Sequence, residues 1–416
     1  MFDTDRWGEI WMTLSRNKLR TFLTAFGVGW GIFMLVVMLG AGNGLSNGTK
    51  KLFAGWATNS AFIWTQRTSM PFEGFQRGRY FNFNNEDIAA IKREVPGVQY
   101  LAPRNQLGGY MGANNVVRNN KTGAFTVNGD MPEVLKIQSS VVDTGRFINE
   151  RDLRDQRKVA VIGKRVRELL FEPHEDPIGD HIRVNGVYFQ VVGIHRSLRS
   201  SENAEEDEST IFIPFSTFQS AFNYHNIVSW FSVTAEPGTP VSQIEADIKK
   251  LMARRHSVHP DDTMAFGSFN LEEAFGKMNM LFVGINFLSW FVGILTLLAG
   301  VIGISNIMMV IIRERTKEIG IRRAIGATPA KIRTQIILES LTLTVLAGYI
   351  GLTLGVLLLE GIVAAGLQGD FFQQPEVDLR TALIALSVLV VSGLFAGMIP
   401  ARRALKINAV DALRAE

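Results

Sequence analysis

The sequence has 416 residues, 43 Lys and Arg against 39 Asp and Glu, a formal charge of +4 and no cysteine. The length allows more than one domain. The lack of thiols excludes disulfides, cysteine nucleophiles and thiolate metal sites, and so small a positive surplus makes no case for nucleic acid.

Apolar residues gather at the two ends of the chain, around a polar middle. Residues 1–20 carry Trp7, Ile10, Trp11 and Leu14, an apolar stripe expected of a cytoplasmic interfacial helix. Residues 21–42 are the first of four apolar runs. Each is long enough to cross a bilayer, which takes about 20 helical residues. The run follows RNKLR, as a signal peptide would. Its length and the three later runs instead predict an anchor that is kept. The other spans are read over 281–312, 336–365 and 381–400. Glycines four apart, at Gly27 and Gly31, Gly351 and Gly355, Gly393 and Gly397, allow close helix approach, either within one subunit or at a dimer face.

Lys and Arg in short loops mark the cytoplasmic side. They cluster before the first span (Arg16, Lys18, Arg20), in the connection 313–335 and in the tail 401–416. The connection 366–380 carries one Arg at its end. Both termini and the 313–335 segment are therefore expected inside, with residues 43–280 outside. Met280–Ile312 contains no proline and as a helix would measure roughly 50 Å, against about 30 Å of hydrocarbon. The second span is thus expected to continue outward as a stalk, and the first likewise through GNGLSNGTKKLF.

The outer block alternates strand and helix signals. AFIWTQ reads as a strand. NNEDIAAIKREVPG reads as a helix capped by Asn84 or Asn85 and stopped at Pro96-Gly97, and VQYLAPRN as a strand. The order returns in IVSWFSVTAEPG, TPVSQIEADIKKLMARRH and DDTMAFGSFN. Two such units predict a duplicated α+β core split by an insertion over about 139–209. Within it, HIRVNGVYFQVVGIHRS holds a hairpin signal at Asn185-Gly186, and SSENAEEDES reads as a solvated acidic loop.

Catalytic patterns are missing. There is no GxSxG elbow or HExxH helix, and neither Gly163-Lys164 nor Gly276-Lys277 sits in a phosphate-binding loop. His256, His259, Asp261 and Asp262 form HSVHPDD, the one cluster of metal-type side chains, and read as an exposed turn rather than a site. Glu339 and Glu360 lie in the third span, near enough to its ends to reach the interface.

The segment RERTKEIGIRRAIGATPAKI separates the second and third spans. Glu314, Glu318 and Arg322 recur at helical spacing, and Glu318 precedes Arg322 in the favourable order for a salt bridge. Gly326 and Pro329 end the helix. Small residues at Gly320, Ala324, Gly326 and Ala327 would let a partner come close. A solvated connector is the alternative.

This segment resembles the cytoplasmic coupling segment of the MacB/FtsX-type permeases of type VII ABC transporters. So do LSRNKLRTFLTAFGVGWGI and PARRALKINAVDALRAE. TGRFINERDLRDQRKVAVIGKRV, DPIGDHIRVNGVYFQVVGI and IFIPFSTFQSAF resemble the MacB-like periplasmic core. The resemblance covers nearly the whole chain. It implies an α-helical membrane protein with four transmembrane helices and a large α+β periplasmic domain between the first two. That domain would have porter-like and sabre-like subdomains, the latter being the insertion. It also implies a bacterial inner-membrane permease that is not itself an enzyme. Such a permease pairs with a second permease chain, as a homodimer or heterodimer, and with ATPase subunits that bind ATP and Mg. Glu314, Arg315, Glu318, Ile319, Arg322, Ala324, Gly326 and Ala327 would dock the ATPase. In MacB-like members the resulting mechanotransmission drives efflux from the periplasm, with a periplasmic adaptor and an outer-membrane duct. MacB carries its ATPase before the first span, whereas about 20 residues precede it here, so a separate ATPase is expected. A lipoprotein-releasing permease of the LolC/LolE kind and an FtsX-like activator of a cell-wall hydrolase are the competing members.

Overall fold

The computed structural model describes residues 18–53, 56–108, 116–138, 140–199, 202–369 and 371–405. The chain divides into two compact units. One comprises residues 1–49 and 280–416, the other residues 50–279.

The first unit is helical. Among the described residues, four helices are long and apolar enough to cross a membrane: Lys18–Leu52, Leu271–Glu314, Pro329–Ala364 and Leu379–Ala404. Among those that outrun a bilayer core of about 30 Å are the two that flank the outer block in the chain. At 1.5 Å per residue, the 44-residue helix Leu271–Glu314 measures about 66 Å and the 35-residue helix Lys18–Leu52 about 52 Å. Neither contains a proline to stop it. Of the interfacial helix expected over residues 1–20, residues 1–17, with Trp7, Ile10, Trp11 and Leu14, lie outside the described residues, as does the tail beyond residue 405.

The bundle core joins Val28, Ile32 and Val36 to Leu297, Ile304, Met308, Ile336 and Leu389. Glycines set the spacing. A Cβ on Gly351 would run into the Gly29 carbonyl, and one on Gly397 into the Ser340 hydroxyl. A Cβ on Gly31 would lie 3.3 Å from Thr296 Oγ1, and one on Gly393 3.1 Å from Thr344 Cβ. These glycine pairs serve packing within one chain. Residues 371–376, after the third helix, fold against the first helix. Asn43 Nδ2 donates to the Glu376 carbonyl at 3.0 Å and Asn47 Nδ2 to the Gln374 carbonyl at 3.2 Å.

The second unit is α+β. Its strands are β1 (Ser60–Thr65), β2 (Phe83–Asn84), β3 (Val98–Leu107), β4 (Val116–Arg118), β5 (Lys121–Gly123), β6 (Thr126–Asp130) and β7 (Ser140–Gly145), then β8 (Val159–Gly163), β9 (His181–Val184), β10 (Val187–Ser197), β11 (Thr210–Pro214), β12 (Ile227–Val228), β13 (Trp230–Ala235) and β14 (Phe266–Asn270). Twelve of them form one sheet in the order β14-β1-β13-β3-β6-β11-β8-β10-β9-β4-β5, with β7 on the side of β10.

The first lobe holds the strands β14-β1-β13-β3, which are antiparallel throughout. Helix Asn85–Glu94 lies between β1 and β3 in the chain, and helix Val241–Arg255 between β13 and β14. These are the two repeated units, and interleaving them gives the 4-1-3-2 order of a split βαβ fold. Asn84 and Asp87 close a reciprocal capping box on the first helix. Ile91, Ile244 and Ile248 pack on Ile63, Phe231 and Val233 from one face of this sheet.

The second lobe is inserted between β3 and β13. It takes in strands β4–β6 as well as the 139–209 stretch read from sequence, because β3 passes from one lobe to the other. Residues 98–104 of β3 pair with β13, and residues 105–107 with β6. Such long-range pairing leaves no local sequence mark. The β9–β10 hairpin turns through Asn185 and Gly186 at φ of +44° and +89°, both in the left-handed region that this turn needs.

Two expectations are corrected. Within SSENAEEDES, Glu202–Glu208 is a helix rather than a loop. Asp207 turns inward from it to accept from Ser197 Oγ at 2.8 Å. Nor is HSVHPDD an exposed turn. His256 Nε2 meets Asp87 Oδ2 at 2.6 Å, and Asp262 is buried, accepting from the Ser69 and Met70 backbone N–H groups at 2.7 and 3.0 Å. Burial drives the Asp87 carboxyl upward, but hydrogen bonds from His256 and Arg255 outweigh it and hold the group below its ordinary range. These side chains fasten loops, and among the described residues no cluster could hold a metal.

Candidate coupling site

The long helix ends at Glu314, and a nine-residue helix, Thr316–Ala324, follows at once. Thr316 Oγ1 donates back to the carbonyls of Ile312 and Arg313 at 3.1 and 2.8 Å. The short helix stops in a Schellman motif. Gly326 takes φ of +101°, which a residue with a Cβ rarely adopts. Its N–H donates to the Arg323 carbonyl at 3.1 Å, and the Ala327 N–H to that of Arg322 at 2.9 Å. Pro329 then opens the helix Pro329–Ala364 at its first turn, where the absent N–H removes no hydrogen bond. Gly326 and Pro329 together fold the short helix back beside the base of the third span.

The eight residues singled out from sequence fall into two groups. Arg315, Ile319, Arg322 and Ala327 are half-buried and turn toward the bundle. Ile319 and Ala327 pack on the cluster containing Ile312, Ile332 and Ile336. Arg322 Nη1 donates to Gln335 Oε1 at 3.0 Å, and Arg315 Nη1 lies 3.8 Å from Glu339 Oε1. These four attach the short helix to its own bundle. Glu314, Glu318, Ala324 and Gly326 are exposed.

Glu318 sits between two cations, 2.9 Å from Arg322 Nη2 and 3.6 Å from Arg315 Nε. The i,i+4 pair contributes only about 0.3–0.5 kcal/mol, so it orients the face more than it stabilises the fold. Arg323 Nη1 donates to the Leu405 carbonyl at 3.3 Å and ties the same segment to the end of the fourth helix. Glu339, expected to reach the interface, is only 4 % exposed and stays within the bundle.

Sequence reasoning missed Ile321 and Ile325, which are 42 % and 82 % exposed. They are four residues apart beside Glu318 and Ala324, on the face turned away from the bundle. The signal was present as an apolar i,i+4 pair.

A family model for the MacB-like periplasmic core domain matches residues 21–251, more than half of the chain, and one for the FtsX-like permease C-terminal region matches residues 290–409. The chain belongs to the MacB/FtsX-type family of ABC-transporter permeases. The second match spans the whole coupling site.

Among relatives of this MacB/FtsX-type chain, the pyoverdine export ATP-binding/permease protein PvdT of Pseudomonas putida is 29 % identical over 98 % of the chain and 59 % of its own length. The macrolide export ATP-binding/permease protein MacB of Bdellovibrio bacteriovorus is 27 % identical over 97 % of the chain and 60 % of its own length. The chain thus spans about three fifths of the length of the curated relatives it matches. The periplasmic region of MacB from Actinobacillus actinomycetemcomitans aligns with 55 % of this chain and 95 % of its own, at 16 % identity and a TM-score of 0.43.

Proposed function

We propose that this chain is the permease of an ABC exporter, driven by an ATPase that docks on the helix Thr316–Ala324. The observation that carries this reading is the composition of that helix's outward face. Ile321 and Ile325 stand exposed beside Glu318 and Ala324, at the end of the 44-residue helix Leu271–Glu314. An apolar anchor flanked by charge is what a specific protein contact uses. The residues present contain no phosphate-binding Gly-Lys loop, so ATP and Mg belong to the partner ATPase.

In this reading the chain sits in a bacterial inner membrane with the Lys- and Arg-rich ends of its helices in the cytoplasm. The second unit is periplasmic, with its first lobe as porter and its inserted lobe as sabre. Two permease copies, or this chain and a sister, assemble with two ATPases. Closure of the ATPases on ATP pushes the short helix. The unbroken long helix, which begins directly after β14, carries the displacement outward to expel a periplasmic substrate through an adaptor and an outer-membrane duct. The export activities named for the relatives support this direction.

The test is purification of the chain from native membranes in mild detergent, with its partners identified by mass spectrometry. An ABC ATPase with a periplasmic adaptor supports export. A lipoprotein carrier or a cell-wall hydrolase activator in place of the adaptor would transfer the chain to the LolC/LolE-like or FtsX-like reading. An intact complex without any ATPase would refute docking.

A further inference from the structure

An antiparallel sheet with helices on one face ordinarily presents polar side chains on the other. The first lobe does not. Its helix-covered face carries Ile63, Phe231 and Val233. The opposite face carries Phe62 and Trp64 from β1, Trp230 from β13 and Phe269 from β14, brought side by side by the pairings Trp64↔Trp230 and Phe62↔Phe269. Trp56 stands edge-on to Phe62 at 5.3 Å and walls the space. Together they line a cleft of about 590 Å³, enough for a drug-sized molecule.

One end of this cavity is rich in donors. Arg104 binds Asp130 through Nε at 2.9 Å, and its Nη2 donates to Gln138 Oε1 at 2.7 Å. Gln138 spends its carbonyl oxygen there, so its amide is left as a donor. Arg199 lines the same end and reaches Asp207 only through Nη1, at 3.4 Å. Its Nε is buried and meets no acceptor among the described residues. A buried guanidinium N–H without an acceptor is unfavourable, and a ligand oxygen would relieve it. Asp130 and Asp207, which accept from these arginines, are not among the residues lining the cavity. The cavity therefore offers aromatic walls and N–H donors to whatever enters.

We propose that this cavity is a binding site for an amphipathic organic anion: an aromatic or alicyclic body stacks on Trp64, Trp230 and Phe269, and its carboxylate or sulfonate accepts from Arg199 and Gln138. The site deepens the export reading by naming a substrate class, and its physiological meaning rests on that reading. Its binding chemistry needs no ATPase. Loss of the ATPase partner would therefore sink the export reading and leave the cavity's occupancy to be judged separately.

The experiment is equilibrium binding of 1-pyrenebutyrate to the full chain in lipid nanodiscs, corrected for empty nanodiscs, with 1-pyrenebutylamine as the cation of similar shape. The expected result is saturable binding of the anion, about tenfold tighter than the amine. Binding should weaken about tenfold in Arg199→Gln, the effect of one charge-assisted hydrogen bond. Phe269→Ala, at an exposed position that folding tolerates, should weaken it similarly. Arg196→Gln, an exposed arginine paired with Asp143 outside the cavity, should bind as the parent does. Absence of saturable binding, equal affinity for anion and amine, or unchanged affinity in both Arg199→Gln and Phe269→Ala would overturn the proposal. So would a change of oligomer mass in Phe269→Ala without any probe binding, which would assign the face to a second copy of the chain.

Discussion

Arg315, at the head of the short helix, holds its Nη1 3.8 Å from Oε1 of Glu339, one turn inside the third span. The contact crosses the turn made by Gly326 and Pro329 and joins the head of the short helix to a helix of the bundle. The glutamate is almost fully buried, while the arginine is about one third exposed. Removing a cation from beside a buried carboxylate destabilises more than removing both charges. Arg315→Met is expected to lower stability by about 2 kcal/mol, discounted for the exposure of the arginine. Adding Glu339→Gln should restore part of it. Thermal unfolding of the purified chain and its variants in detergent, arranged as a double-mutant cycle, reads this coupling. Strictly additive effects would show that the two side chains do not interact.

The outward face of the short helix should carry partner affinity without carrying the fold. Ile325→Asp places a carboxylate on a side chain that is 82 % exposed, so stability should change by less than about 0.5 kcal/mol. Co-purification with the ATPase should fall at least tenfold, and Glu318→Lys should act in the same direction. Ile319→Asp should differ, because Ile319 packs on the bundle cluster and its replacement should unfold the segment. Normal ATPase recovery with Ile325→Asp would remove the docking face.

Glycine positions in the spans divide by what surrounds them. Gly351→Ala drives a methyl group into the Gly29 backbone, where no side chain can move aside. It should cost about 1–3 kcal/mol by overpacking. Gly361→Ala in the same helix meets nothing within 4 Å and should be neutral or slightly stabilising through helix propensity. Melting temperatures of the two variants in one detergent test the contrast, and equal losses would contradict it.

His195, on β10, is fully buried against Phe212 and hydrogen-bonds through Nε2 to the Thr210 carbonyl at 2.9 Å. Burial pushes its pKa down to about 4, against 6.5 when exposed. The folded state therefore prefers the neutral ring. The stability this gives is complete above pH 6.5 and is lost as the pH falls toward 4, by up to about 3 kcal/mol. Asp130 acts in the opposite sense. Burial raises its carboxyl to about 6 while Arg104 pulls it back, so its protonated form favours folding and that contribution fades as the pH rises through 6. His195→Leu isolates the histidine. Hydrogen exchange of the β10 and β11 amides should accelerate between pH 6.5 and 4 in the parent, after correction for the intrinsic rate, and less in the variant. Identical pH dependence would exclude His195 as the source.

The amino-acid order determined this protein's layout wherever the governing interaction is local. Apolar runs longer than a bilayer can only be spans. Asn185-Gly186 prescribes a left-handed turn, the Asn84 cap starts a helix, and Gly326 with Pro329 ends one and begins another. The repeated strand–helix–strand units were legible in the same way, from period and punctuation. Tertiary structure decided what depends on residues far apart in the chain. The order 4-1-3-2 and the passage of β3 between two lobes follow from strand pairing, which no residue announces by itself. In the nine-residue short helix and its C-cap residue Ile325, isoleucines occur on both sides. Only contact with Ile312, Ile332 and Ile336 assigns Ile319 inward and leaves Ile321 and Ile325 outward. The aromatic face with Arg199 and Gln138 at its end is likewise assembled from six separate segments. Side-chain period specifies which residues share a face, but burial against a distant element specifies which face is covered.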